Sequence, residues 1–303
     1  MSFSSEVKLE LLKQCGKARH CMLAELAGIL QMVGDYNEND KSLNLSTENE
    51  NVIEKCNFLI KELFNVDLKE TGHITDEDLF FNALKMTDGE GKYIKFRCHR
   101  TDGVLLKNKC CKRAYLRGAF MASGSISDPA KSYHFEIVCS ALEQATQIVE
   151  LIGSFDAEAK IVERKGHYVV YLKEGAQIVD MLNVMEAYVS LMKLENVRIL
   201  KEISNSVNRK VNCEAANISK TVNAAVKQLQ DIQIIEDYKG IDELPRNLKE
   251  MAIVRLENPD ASLKELGEYL DPPVGKSGVN HRLRKLGEIA DELRERYNIA
   301  EGK

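Results

Sequence analysis

The chain repeats itself. Leu26-Ala27-Gly28-Ile29-Leu30-Gln31-Met32-Val33-Gly34 and Leu116-Arg117-Gly118-Ala119-Phe120-Met121-Ala122-Ser123-Gly124 share their spacing at an offset of 90 residues, and self-similarity on this scale restricts the fold before any other feature does. Each copy is followed by the same order of signals. After the first come a loop (Asp35–Lys41), an extended run (Leu43–Ser46) and a helical pattern through Val52, Cys56, Leu59 and Leu63. After the second come a loop (Ser125–Ser132), an extended run (Tyr133–Val138) and a helical pattern through Leu142, Ala145, Ile148, Val149 and Ile152. Two related α/β units, over about 1–105 and 106–200, account for this order.

The repeated segment is helical and made for close packing. Ala27, Gly28, Gly118, Ala119 and Ala122 are small, and small residues at helical spacing let two helix backbones approach. Gly34 and Gly124 are expected to end the helices as left-handed caps. Ala159–Glu163 and Tyr168–Leu172, turned at Lys165-Gly166, read as a hairpin, and Gln177–Tyr188 reads as the helix closing the second unit.

The length of 303 residues, with 44% hydrophobic and 29% charged residues, suits two folded domains and excludes a disordered or fibrous chain. The longest apolar stretches, such as Met22–Val33, are shorter than a bilayer span requires, so no membrane partner is expected. The first residues carry no secretion signal, which points to the cytoplasm. There the eight cysteines are expected as free thiols. With no C-x-x-C and with scattered histidines, spacing suggests no metal site and no cofactor, and the vicinal Cys110-Cys111 reads as two small apolar side chains.

Charge is segregated despite a net of −5. Twelve acids face four lysines between Asp35 and Asp78, whereas nine cations face only Asp102 between Gly91 and Gly118. Lys92, Lys95, Arg97, Arg100, Lys107, Lys109, Lys112 and Arg113 in the second run form either a solvated face, a partner for the acidic stretch, or an anion-binding surface supplying DNA backbone contacts.

The motif pair looks like the LAGLIDADG homing-endonuclease fold, in which two such helices pack centrally and two curved sheets make a saddle on DNA. Leu116–Ser125 with Asp128-Pro129, together with Asn208-Arg209, Asn212 and Ala216-Asn217, resembles more particularly the WhiA family of bacterial sporulation and cell-division regulators, over nearly the whole chain. In the endonucleases the penultimate motif residue is a metal-holding acid. Those positions are Val33 and Ser123 here, and neither can supply the carboxylate oxygens that Mg²⁺ requires. No catalytic residue is therefore expected, and Asp35 and Asp128 are displaced from the helix ends. The resemblance implies transcriptional control of division, chromosome segregation or sporulation genes.

The last hundred residues are helical. A linker is expected over 201–240, with Ile218, Val222, Ala225, Val226 and Leu229 on one face. A helix-turn-helix is expected over 241–303: Leu248–Leu256, then a capping box at Ser262-Leu263-Lys264-Glu265 opening a helix to Leu270, then a break at Asp271–Gly275 and a third helix from Ser277 with Val279, Leu283 and Leu286 at core spacing. Between Pro272 and Leu286 four cations meet no acid. Ser277, Asn280, His281 and Arg284 suit base edges, and Lys276, Arg282 and Lys285 suit phosphates.

The expected protein is α+β: a LAGLIDADG-like pseudo-twofold repeat domain followed by an all-α helix-turn-helix domain. Double-stranded DNA is the expected partner, which would place the protein on the nucleoid. The rival expectation is a factor that docks RNA polymerase, a sigma factor or a cell-division protein, with only auxiliary DNA contact.

Overall fold

The computed structural model describes all residues except Lys69–Gly72, Gly89, Gly91 and Ile299–Lys303. Lys69 and Glu70 of the acidic stretch, the Gly91 edge of the basic run and the last five residues of the expected helix-turn-helix domain thus lie outside the described residues. The chain forms two compact units, Met1–Glu202 and Ile203–Lys303.

The first unit is organised by two helices of equal length, α2 (Arg19–Val33) and α5 (Lys109–Ser123), which begin and end at the 90-residue offset. A Cβ on Gly28 would stand 2.4 Å from the Tyr115 carbonyl oxygen, and one on Gly118 would stand 2.2 Å from that of Glu25. Contact this close between backbones is available only to glycine. Around the pair lie α1 (Phe3–Lys13), α3 (Glu50–Phe64), the short α4 (Glu77–Ala83), α6 (Leu142–Gly153) and α7 (Gly175–Val184).

Each central helix runs directly into a strand. β1 (Gly34–Asn37) pairs antiparallel with β2 (Ser42–Leu45), with Gly34 opposite Leu45. β3 (Gly124–Ile126) pairs antiparallel with β4 (Phe135–Cys139), with Gly124 opposite Ile137. The expected loops after the motifs are therefore shorter, and the glycine caps are extended (φ −72° and −84°) instead of left-handed. Glycine is needed for space: a Cβ on Gly34 would lie 2.6 Å from the Leu30 carbonyl oxygen, and one on Gly124 would lie 2.3 Å from Phe120 Cδ2.

The repeats are unequal beyond this point. The second completes a four-stranded sheet in the order β3-β4-β6-β5, with β5 (Lys160–Arg164) and β6 (His167–Leu172) joined through Lys165 and Gly166, both at positive φ as the hairpin signal predicts. The first has two paired strands among the described residues. In place of a second hairpin it has α4 and an aromatic cluster of Tyr36, Phe81, Tyr93 and Phe96. The helix expected over Gln177–Tyr188 is also two pieces, because Glu186 adopts φ +68° and Tyr188 starts α8 (Tyr188–Tyr238).

Charge is buried at the seam. Glu25 is fully buried and receives Arg117 Nε at 3.0 Å and Nη2 at 2.9 Å, with Lys55 Nζ at 3.2 Å. Arg117 Nη1 also donates to Glu186 at 2.6 Å, and Lys55 donates to the carbonyl of Gln14. Burial works against the Arg117 charge, but the Glu25 and Glu186 contacts outweigh it and hold the guanidinium pKa above its ordinary value. Arg117 is thus drawn out of the basic run into the core.

The second unit packs the last turns of α8, through Ile232 and Ile235, against α9 (Arg246–Glu257), α10 (Leu263–Glu268) and α11 (Lys276–Tyr297). Its core includes Leu248, Met251, Leu266, Val279, Leu283 and Leu286. Ile218, Val222 and Val226, the apolar face read in the linker, are exposed.

Two outcomes follow for stability in urea. Gly118→Ala forces the central helices apart and is expected to cost about 1–3 kcal/mol or more, read as a lower unfolding midpoint. Glu25→Ala leaves Lys55 with backbone carbonyls alone and Arg117 with Glu186 alone, and is expected to cost about 3–5 kcal/mol, more than Arg117→Met, which leaves Glu25 facing Lys55. The reverse order would show that the carboxylate is not the hub.

Candidate nucleic-acid interface

The local fold of the C-terminal helices follows from a few residues. Ser262 accepts from the Glu265 amide while the Glu265 carboxylate accepts from the Ser262 amide, the capping box read from the sequence. The amide of Val274 donates to the Gly267 carbonyl at 2.9 Å, and a Cβ on Gly267 would lie 2.0 Å from the Val274 carbonyl oxygen. This clamp, which the sequence reading did not identify, closes the seven-residue connection from α10 and sets the start of α11.

On α11 the buried positions Val279, Leu283, Leu286 and Ala290 fix which side faces out. At 100° per residue, Ser277, Asn280, His281, Arg284 and Lys285 occupy one arc of about 140° opposite that core, and all five are exposed. Lys276 and Arg282 flank the arc. Lys276 is exposed, whereas Arg282 is half-buried and donates to the Asn247 carbonyl at 3.4 Å. Arg284 Nε lies 3.3 Å from Glu288, a solvent-exposed pair that a stronger anion can displace.

A groove beside the arc is lined by Lys220, Lys264, Lys276, Asn280 and Arg255. Arg255 is buried and donates to the Ala261 carbonyl at 2.6 Å, its Nε has no hydrogen-bond partner among the described residues, and burial lowers its pKa from the ordinary value. Lys264 and Arg255 were not singled out by sequence, because their contribution depends on α8 and α10 meeting α11.

The basic run of the first unit does not form one face. Arg97 reaches Ser46 and Ser140, one from each repeat, and Arg100 pairs with Glu150. Lys109 and Arg113 stand over the Phe155 ring at 5.8 and 6.0 Å. Lys92, Lys95 and Lys107 are exposed and Lys112 is half-buried. Of the motif positions, Val33 is buried and Ser123 Oγ donates to the Ala119 carbonyl within its own helix. Asp35 is exposed at the second residue of β1, beside Lys95 and Arg97 in an open cleft. Asp128 accepts from the Ala130 amide in a turn. No pair of carboxylates converges at the helix ends among these residues.

A third constellation is invisible to linear spacing. His20, Cys21, Cys110 and Cys111 bring one imidazole and three sulfurs within 4.8 Å of one another at the starts of α2 and α5. His20 Nδ1 lies 3.2 Å from Cys111 Sγ and 3.3 Å from Cys21 Sγ. Burial, then the neighbouring Cys110 thiol, pushes the Cys21 thiol up to about 12.

No described helix is long and apolar enough to cross a membrane. Residues 112–204 match the model of the WhiA LAGLIDADG-like domain, and residues 207–290 match that of the WhiA C-terminal HTH domain. A probable cell division protein WhiA of Lachnoclostridium phytofermentans is 50% identical, the match covering 97% of this chain and all of the relative. The protein of the same name in Lachnospira eligens is 48% identical over 99% of this chain and all of the relative. The crystal structure of full-length DUF199/WhiA from Thermatoga maritima shares the fold at a TM-score of 0.57 and 24% identity, covering 96% of this chain and 99% of that one. With the repeat, the helix-turn-helix and these matches together, the chain belongs to the WhiA family.

Proposed function

We propose that the chain is a sequence-specific DNA-binding regulator of transcription that acts in cell division. The observation that carries this is the exposed arc of α11, where Asn280, His281, Arg284 and Lys285 stand opposite a core that fixes their direction. Asn280 and Arg284 offer the bidentate donors and acceptors that read adenine and guanine in the major groove. Lys276 and Lys285, with Lys220 and Lys264 in the adjoining groove, supply phosphate contacts. Arg282, partly committed to Asn247, is the weakest of these contacts. Lys92, Lys95, Lys107 and Lys112 add backbone contacts from the first unit, while Arg97, Arg100, Lys109 and Arg113 are held mainly by their protein partners. The relatives carry the name of probable cell division proteins, and a role in chromosome segregation or sporulation extends the same reading. The organisation is a LAGLIDADG-like domain, a helical linker within α8 and a helix-turn-helix domain, acting in the cytoplasm on the nucleoid.

The first domain works without nuclease chemistry. Two-metal cleavage needs acids at both helix ends, and Val33 and Ser123 supply none. A second reading, docking to RNA polymerase, a sigma factor or division machinery, is favoured by Ile199, Ile203, Val207, Val211, Ile218 and Val222, which are all more than half exposed on α8.

Arg284→Ala in the full-length chain is expected to cost about 1–3 kcal/mol on the selected site and to relax preference at one base pair. Lys276→Ala is expected to weaken binding on all duplexes alike and to flatten the salt slope by about 0.9. Loss of DNA binding in Arg284→Ala/Lys285→Ala with the division phenotype intact would hand the function to the docking reading. Purified protein with Mg²⁺ is expected to leave supercoiled DNA uncut, and nicking that disappears in Asp35→Asn would restore a nuclease.

A further inference from the structure

We propose that His20, Cys21, Cys110 and Cys111 form a tetrahedral Zn²⁺ site that ties the two repeats together at the starts of α2 and α5. The donors are two adjacent pairs, His20-Cys21 and Cys110-Cys111, separated by the same 90 residues as the motif helices they open. The pseudo-twofold packing of α2 on α5 therefore faces one pair with the other. Neither repeat alone has enough ligands, so the site exists only when the repeats are joined.

Three observations favour an ion here. The donor set is the first. Three thiolates and an imidazole match structural zinc, with bonds of about 2.3 Å to sulfur and 2.0 Å to nitrogen and ligand-to-ligand edges of about 3.5–3.8 Å. The observed separations of 3.2 and 3.3 Å from His20 Nδ1, and of no more than 4.8 Å overall, need only small side-chain adjustments to meet these. Thiolate softness also disfavours Mg²⁺ and Ca²⁺.

The second concerns the helices. α2 and α5 begin without a side-chain cap and without an acidic residue in the first turn, unlike α3, which has Asn49 as its cap and Glu50 behind it. Unrelieved positive helix ends lie side by side, and thiolates there would be favourably placed. The third is the surrounding charge. A complex of one Zn²⁺ with three thiolates carries a net −1, and the cleft at the cluster is lined by Lys17 and Arg113 together with the mutually paired Arg117 and Glu186. On binding, the aquo ion loses water, and three thiol protons pass to solvent as three Zn–S bonds form, with the neutral imidazole completing the four. Affinity therefore falls as the pH is lowered.

His20 and Cys110 are exposed, whereas Cys21 and Cys111 are buried. The exposed pair can thus be changed without opening a cavity. Full-length protein dialysed against metal-free buffer under reducing conditions is expected to retain one equivalent of zinc by mass spectrometry. Replacement by Co²⁺ is expected to give the visible d–d and near-ultraviolet sulfur-to-cobalt bands of a tetrahedral thiolate site. Cys110→Ser and His20→Ala are each expected to lose the bound metal and those bands, and a strong chelator is expected to lower the Tm of the wild type but not of Cys110→Ser. Substoichiometric zinc with no cobalt spectrum would overturn the proposal. So would metal retained in full by both variants, or a disulfide between Cys21 and Cys110 or Cys111 in the freshly purified protein.

Discussion

The first unit depends on two helices meeting at backbone distance. Gly28 and Gly118 allow the peptide groups of α2 and α5 to touch, and the remaining geometry follows from that contact. It sets Glu25 against Arg117, aims both helix C-termini into equivalent strand pairs through Gly34 and Gly124, and gathers both N-termini at one end. A wider separation would loosen each of these at once, because protein interiors move between discrete packings and do not stretch smoothly.

The fold separates scaffold from surface. Around the seam, side chains that could be chemically active are committed to one another: Arg117 and Lys55 to Glu25, Gln144 to Gln31, Gln147 to Thr101. The second unit is arranged the other way, with a small apolar core that holds polar groups outward along one helix. The clamp between Gly267 and Val274 belongs to that arrangement, since it fixes how α11 leaves the preceding turn without using any side chain of the exposed arc.

Features governed by local rules were legible in the sequence. The repeat marked the central helices and their C-terminal ends, Ser262 and Glu265 formed the capping box, and Lys165-Gly166 turned the hairpin. The core spacing on α11 told its two sides apart. What escaped was anything joining distant positions. Glu25, Lys55 and Arg117 have no local relation, so nothing along the chain sets Arg117 apart from the other cations of the basic run. The same holds for Arg97 and Arg100, whose partners Ser140 and Glu150 lie over 40 residues away. The unequal first repeat was hidden because its opening half follows the second copy closely and diverges only after α3. The thiol cluster is hidden for the same reason, since its ligands come from opposite sides of a symmetry axis and share no ligand spacing along the chain.

That axis relates backbones but not charges. By the offset, the counterpart of Glu25 is Tyr115 and the counterpart of Arg117 is Ala27, so the acid belongs only to the first repeat and the guanidinium only to the second. Two copies of the first repeat, paired as a homodimer, would bury two Glu25 carboxylates, each left with only its own Lys55 and no Arg117. Two copies of the second would bury two guanidiniums, each left with only the part-exposed Glu186 of its own repeat. The halves have become lock and key for each other, and domain-swapped or self-paired assemblies are penalised at the very contact that makes the correct pairing.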